Sequence, residues 1–382
     1  MKIDHISLYP YQIPLRAPFI TAHHTLTQRS GAIIQVHTQD GIVGNGEITP
    51  LPGFTSYTLQ DALSPLPALI KQLVGKRVDE ALADLLHIRA SLPPATVSGL
   101  ELALLDALGK TQQRALHTLL ITPGTDTDKV QDDVTIAQRS AIRVNAVIGA
   151  QALESAVRQA QEAIARGFSC IKLKVGSDAK TDFERITAVR EAVGPEVHVR
   201  LDANEGWSFA QAHEILSRCA HLAIQYVEQP LRADDLAGMS KLRQAVPVAI
   251  AADEALHDLV SARRILAAGA ADILIVKPQF AGGLYSGRQI IHEAAEQGVQ
   301  CVITSAIGTG IGLAGDLHLA AASPEVSLAC GLATLHMLVD DLIIEDLAIH
   351  NGFLTIPNGP GLGVRLDNQA LAHYNHLYTS NT

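Results

Sequence analysis

Apolar and polar positions fall into two textures along this chain. In the first third, residues 2–10, 31–38 and 42–48 alternate or are rich in β-branched side chains, which predicts strands. Gln39-Asp40-Gly41 between the last two marks a hairpin turn. Helical periodicity follows near 58–74, 79–90 and 95–113, punctuated by Pro93-Pro94. The run 122–139 is polar, contains Pro123-Gly124 and four aspartates, and reads as an exposed linker.

From Arg143 onward short apolar runs alternate with amphipathic stretches. The runs are Val144–Ile148, Cys170–Val175, Val197–Asp202, Ile224–Glu228, Val248–Ala252, Ile273–Val276 and Cys301–Ile303. They suit strands buried on both faces, and Gln151–Arg166, Phe183–Val193 and Asp258–Ala268 suit the helices between them. Such alternation gives a parallel sheet with right-handed crossovers. Charged residues stand at the strand ends at 174, 202, 228, 253 and 277, at intervals of 28, 26, 25 and 24 residues. A βα unit of a closed barrel takes roughly 30 residues, and barrel sites lie at the C-terminal strand ends. An open doubly wound sheet would instead gather its ligand at one switch point. A closed barrel is therefore expected. After Leu338 the repeat stops, and 342–344 and 353–356 read as strands that return to the N-terminal part. The expected division is 1–125 as a capping domain, 126–338 as the barrel and 339–382 as a returning segment.

The strand-end charges carry the chemistry. Asp202, Glu228 and Asp253 each follow apolar residues directly, so adjacent strands bring three carboxylates to one barrel mouth. A single one would be an ordinary strand-end cap or salt-bridge partner. Three together repel one another and raise one another's pKa unless a cation neutralises them. A hard dication such as Mg²⁺ takes oxygen ligands and keeps positions for water or substrate oxygens. In Ile171-Lys172-Leu173-Lys174-Val175, both lysines point to the same side of a strand. Their burial is costly without carboxylates beside them. Lys174, nearer the strand end, is assigned as the base and Lys172 as its electrostatic assistant. Lys277, before Pro278, comes from nearly opposite around the barrel. A dication on a carboxylate makes the neighbouring carbon acid accessible, and an amine can then remove the α-proton.

Composition narrows the class further. The chain of 382 residues is 47 % hydrophobic and 18 % charged, enough to bury a large core. Its net charge of −10 opposes the basic surface that nucleic-acid binding needs. Neither a secretory leader nor an apolar run of membrane-spanning length stands out, so no membrane association and a cytoplasmic location are expected. Cys170, Cys219, Cys301 and Cys330 are scattered and form no metal or disulfide motif.

Taken together, Lys172-Leu173-Lys174, Leu201-Asp202-Ala203-Asn204, Val227-Glu228-Gln229-Pro230, Asp253-Glu254 and Lys277-Pro278 resemble the muconate-lactonizing-enzyme subgroup of the enolase superfamily. The resemblance spans nearly the whole chain. It implies an α/β fold, a modified (β/α)₇β TIM-type barrel with an N-terminal α+β capping domain completed by the C-terminal segment. It also implies Mg²⁺, with Mn²⁺ as a substitute, an enediolate intermediate and a small-molecule carboxylate substrate; a homo-oligomer is left open. Within the subgroup, Pro50-Leu51-Pro52-Gly53-Phe54-Thr55 and Cys330-Gly331-Leu332-Ala333-Thr334 are similar to stretches of the o-succinylbenzoate synthases, lyases of menaquinone and phylloquinone biosynthesis. The expected substrate contacts are Phe54, Thr55, Asn204, Ser305, Gly331 and Leu332. Dipeptide epimerases carry an Asp-x-Asp at the second stretch to hold an ammonium, and this chain has none there. Racemisation of N-succinylamino acids or epimerisation of dipeptides by 1,1-proton transfer is the alternative. Two departures stand out: Gly308 replaces the usual glutamate after strand seven, and Cys330 replaces the usual histidine.

Overall fold

The computed structural model describes residues 1–20, 25–121, 139–149 and 152–381. The expected linker 122–139 lies almost wholly outside them. β1 (Ile3–Ile20), β2 (Thr25–Thr38) and β3 (Val43–Ile48) form an antiparallel sheet in that order. β1 runs well beyond the expected 2–10. It is an edge strand, where Pro10 and Pro14 interrupt no inner ladder. The helix Pro94–Gln112 lies against β3, and a Cβ on Gly44 or Gly46 would run into its backbone.

After the short strand β4 (Ala141–Arg143), the second sheet holds seven parallel strands in strict chain order: β5 (Ala146–Ile148), β6 (Cys170–Lys174), β7 (His198–Asp202), β8 (Ile224–Glu228), β9 (Ile250–Ala252), β10 (Ile273–Val276) and β11 (Gln300–Ile303). Cys330-Gly331 closes it as an eighth stave. On one side Gly331 N donates to Ile303 O (2.8 Å) and Ser305 N to Gly331 O (3.1 Å). On the other, Cys330 N donates to Arg143 O (2.8 Å) and Asn145 N to Cys330 O (3.0 Å). A Cβ at Gly331 would stand 2.7 Å from Thr304 Oγ1, so the closing contact needs glycine.

The C-terminal segment departs from expectation. Phe353–Thr355 is a strand, but it pairs with Ala141–Arg143 at the start of the barrel and with Ile349–His350. Ile343 makes an isolated bridge to Leu366. What packs on β1 is the helix Asn368–Asn381, from which Asn375 Nδ2 donates to Pro10 O (2.6 Å). Among the described residues no helix is long and apolar enough to cross a membrane, and all four cysteines are buried free thiols.

Buried charges bolt the N-terminal domain to the barrel. Glu47 on β3 sits at the N-terminus of the helix Gly310–Ala321, accepting from Thr309 N (2.9 Å), Gly312 N (2.8 Å) and the Tyr11 hydroxyl. Glu101 does the same for the helix Leu284–Glu296, accepting from Leu284 N (2.5 Å) and Tyr285 N (3.1 Å), while burial pushes its pKa up to about 7. Arg29 is 1 % exposed and donates to four carbonyls, of Thr49 (3.2 Å), Pro50 (3.2 Å), Ala306 (3.1 Å) and Ile307 (3.0 Å). Ile307 has φ of 57°, a costly conformation for a β-branched residue. Arg29 holds that strained turn from the neighbouring domain. Replacing it with Met leaves four buried carbonyls short of a donor, so Arg29→Met should lose about 3 kcal/mol or more of stability. Urea unfolding followed by circular dichroism measures this, and an unchanged midpoint would contradict the bolt.

Candidate active site

Parallel pairing sets the register of the site. Lys174 lies opposite Asp202, and Asp202 opposite Glu228. The inward positions of β6 are 172 and 174, those of β7 are 200 and 202, and those of β8 are 226 and 228. Lys172, Lys174, Asp202, Glu228, Asp253 and Lys277 are all buried and line one cavity at the C-terminal end of the barrel.

The charges interlock. Lys172 Nζ stands 2.9 Å from Glu228 Oε1 and 3.0 Å from Asp202 Oδ2. Lys174 Nζ stands 2.7 Å from the same Asp202 oxygen and donates to Asn204 Oδ1 at 2.7 Å. Lys277 pairs with Asp253. Lys172 is thus held between two carboxylates rather than facing Lys174 as a bare cation. Burial alone would lower its pKa, but Asp202 and Glu228 hold it well above the ordinary lysine value. Burial opposes ionisation of Asp202, yet Lys172 and Lys174 keep its pKa below the usual carboxylate range. Glu228 goes the other way: burial first, then the charge of Asp202, push it up to about 8. Glu254 is raised well above normal by burial and by Asp253; it accepts from Asn204 Nδ2 (2.8 Å), and among the described residues its second oxygen has no partner. Asn204 therefore bridges Glu254 to Lys174, from a left-handed conformation with φ of 41°.

Aromatic rings roof this cluster, Phe19 and Phe54 from the N-terminal domain and Phe280 from the barrel segment that follows β10. Lys174 Nζ lies 5.5 Å from the Phe19 ring centre, and Lys277 Nζ lies 5.2 Å from Phe54 and 5.8 Å from Phe280. These are favourable cation–π distances that also exclude water.

The other expected contacts divide. Asn204, Phe54, Ser305 and Gly331 line the cavity. Thr55 does not: its hydroxyl donates to Tyr57 O (2.9 Å) and Leu51 O (3.3 Å), and the residue faces a separate groove beside Pro50. Leu332 is fully buried and turns to a cleft on the far side of the 332–338 segment, because Gly331 before it is fixed in the barrel wall. Phe19, Asn145, Thr304, Thr334 and Met337 line the cavity and were not expected there. Thr334 lies in a quoted stretch; the spacing gave no signal for Asn145 or Phe19. At Gly308, a Cβ would stand 2.8 Å from Glu47 Oε2. The space of the missing strand-seven side chain is held by a carboxylate from the other domain.

Among the described residues no three acidic or histidine side chains already converge as a ligand set; the lysine ammoniums lie between the carboxylates instead. The donor chemistry nonetheless fits a hard dication: three buried carboxylates at the ends of adjacent strands, one of them with its pKa raised by burial and by the charge of another.

A family profile described as "Enolase C-terminal domain-like" matches residues 155–370, and one described as "Mandelate racemase / muconate lactonizing enzyme, N-terminal domain" matches residues 5–120. The N-succinyl-L-Arg/Lys racemase of Bacillus cereus is 27 % identical over 97 % of this chain and 97 % of that protein. Its crystal structure superposes with a TM-score of 0.88 at 25 % identity, over 98 % of each chain. A hydrophobic dipeptide epimerase of Enterococcus faecalis is 29 % identical over 86 % of this chain and 90 % of its own. The crystal structure of a dipeptide epimerase from that organism, with Mg and a dipeptide bound, gives a TM-score of 0.85 at 26 % identity, covering 95 % of this chain and 99 % of that one. The o-succinylbenzoate synthase of Thermobifida fusca is 36 % identical over 57 % of this chain and 67 % of that protein. This chain belongs to the enolase superfamily, in its muconate-lactonizing-enzyme subgroup, and is an enzyme of that group.

A pH dependence follows from Glu228. Its pKa of about 8 in the folded protein lies above the roughly 4.3 of an unfolded glutamate. Between those values the folded state binds the extra proton, so metal-free stability falls as pH rises through that window. The slope should approach about 1.4 kcal/mol per pH unit near neutrality. Urea midpoints from pH 5 to 8 in a chelator measure it. Glu228→Gln should flatten the slope; a slope unchanged by that substitution would assign the proton elsewhere.

Proposed function

We propose that this enzyme is a Mg²⁺-dependent o-succinylbenzoate synthase. It removes water from a cyclohexadiene carboxylate to leave an aromatic acid, as in menaquinone and phylloquinone biosynthesis. The observation that carries the reading is the cavity wall at 331–334: Gly331 and Thr334 face the cavity, and neither brings a carboxylate. The ammonium of a free dipeptide would lie there without counter-charge, which disfavours the dipeptide epimerases. The apolar lining of Phe19, Leu51, Phe54 and Met337 suits a flat ring. The Thermobifida fusca synthase adds support as the relative of 36 % identity.

Asp202, Glu228 and Asp253 would hold the Mg²⁺, with Mn²⁺ the alternative to try. Bound there, the ion supplies the positive charge that makes a proton next to a carboxylate removable, as is general in enolase-superfamily sites. Lys174, as the neutral amine, takes the α-proton. The electron pair left on carbon forms the new ring double bond as the hydroxyl leaves, and Lys174 returns the proton to that hydroxyl, so water departs and the amine is regenerated. Asn204 keeps the Lys174 nitrogen in place. Lys277 remains an ammonium on the opposite wall and stabilises the enediolate charge.

A second reading has one observation in its favour. The two lysines come from β6 and from the end of β10, four strands apart in the barrel, so they could serve both faces of an α-carbon. An N-succinylamino-acid racemase, the activity of the Bacillus cereus relative, would use them so.

Purified protein with Mg²⁺ and the cyclohexadiene substrate should give the aromatic acid. Lys174→Ala and Lys277→Ala should each lower kcat by about 10³-fold or more, while calorimetry still detects Mg²⁺ binding. No aromatic product from the wild type would remove the synthase reading. Deuterium wash-in from D₂O into both enantiomers of N-succinylamino acids would move the assignment to the racemase.

A further inference from the structure

The three carboxylates assigned to the dication stand where β7, β8 and β9 give way to loops, and the backbone of all three loops meets on one residue. Gln229, next after Glu228, is fully buried. Its amide donates to Ala251 O (2.9 Å), in register with the β8–β9 ladder. Its carbonyl accepts from Glu205 N (2.8 Å) in the loop that follows Asp202. Its side-chain Oε1 accepts from Asp253 N (3.0 Å) and Ala255 N (3.2 Å), and Nε2 donates to Leu231 O (2.9 Å). Resting on the dication assignment above and not on the choice of substrate, we propose that Gln229 is a positioning residue for the metal. It sets the spacing of Asp202, Glu228 and Asp253, and with it a preference of the site for Mg²⁺ over Ca²⁺.

The backbone shows why a side chain is needed there. β9 ends at Ala252, so Asp253 lies just beyond the strand that delivers it. An uninterrupted parallel ladder would continue with the Asp253 amide on the Gln229 carbonyl. That carbonyl is turned instead to the β7 loop, because Gln229 stands in the left-handed region with φ of 38°. The side-chain oxygen takes the place of the carbonyl. This conformation is costly for a residue with a Cβ, and Pro230 after it favours extended backbone at 229. Such strain persists only where surrounding contacts fix it, and it gathers at functional sites. Here it gives one residue a link to the loops on both sides.

The choice of ion follows from geometry. Mg²⁺ demands a nearly ideal octahedral ligand set, whereas Ca²⁺ accepts irregular and larger ones. Groups that hold the ligands in place therefore matter more to the smaller ion. The Asp253 side chain pairs with Lys277, and the two bonds to Gln229 fix the main chain from which it projects. An amide suits the task. Its oxygen accepts two N–H bonds as a carboxylate oxygen would, without adding a charge beside three carboxylates.

Calorimetric titration of the full-length, metal-free protein with MgCl₂ and with CaCl₂ tests this without turnover. The wild type should bind Mg²⁺ in preference to Ca²⁺. Gln229→Met keeps the size of the side chain and loses its hydrogen bonds. It should weaken Mg²⁺ about ten- to a hundred-fold and Ca²⁺ by less, so that the preference falls. Gln229→Glu keeps an oxygen for the two amides, so its effect should fall on both ions alike and leave the preference intact. Circular dichroism checks folding, and Gln229→Asn, too short to reach the amides, replaces Gln229→Met if that protein does not fold. A folded Gln229→Met or Gln229→Asn that keeps the wild-type ratio of the two affinities overturns the proposal, whether both hold or both fall. So does a wild type without the preference, or a Gln229→Glu that loses it. A wild type that binds neither ion removes the dication assignment, and this inference with it. Because no substrate enters the experiment, the synthase reading can fail while this one stands.

Discussion

A single oxygen of Asp202 receives two ammoniums, from Lys172 at 3.0 Å and Lys174 at 2.7 Å, and the rest of the site is arranged around that contact. Two inward lysines on one strand have no stable place in a barrel interior unless the neighbouring strand delivers a carboxylate at the same level. The pairing of Lys174 with Asp202 and of Asp202 with Glu228 supplies that level. A slip of one residue would turn every one of these groups outward. The interlocked charges also need water kept away, which β strands alone do not do. The N-terminal domain does it with Phe19 and Phe54 over the two lysines, and it is held in place by Glu47, Glu101 and Arg29.

Much of this was legible in the chain because the chemistry and the periodicity coincide. Five charges at strand ends, each following apolar residues, fixed both the barrel and the grouping of Lys174, Asp202, Glu228, Asp253 and Lys277 before any contact was visible. What stayed hidden had no periodic signature. Asn145 is a single neutral polar residue within an apolar strand run, and Thr334 stands beside a turn, where such a residue usually serves the backbone. Thr55 and Leu332 were expected at the cavity because they lie in the stretches that resemble the o-succinylbenzoate synthases. Neighbours in an extended or turning chain face different ways, and these two turn to other surfaces. The partner of Phe353–Thr355 was equally unreadable. A short alternating strand states that it will pair, not with which edge.

The strand-seven departure shows why the two domains cannot be interpreted separately. A glycine at 308 looks like the loss of a carboxylate. In the fold, an oxygen of Glu47 stands 2.8 Å from where the first atom of a side chain at 308 would go, so a bulkier residue at 308 would push Glu47 from this placement. The glycine is the complement of a carboxylate delivered from β3. That carboxylate also anchors the N-terminus of the following helix through Thr309 and Gly312. The turn between Ser305 and Gly308 is strained at Ile307 and held by Arg29. The neutral side of the cavity is therefore shaped by the same interdomain contacts that dehydrate the charged side. Changing the docking of the N-terminal domain would reshape the charged and the neutral side of the cavity together, because both depend on where that domain sits.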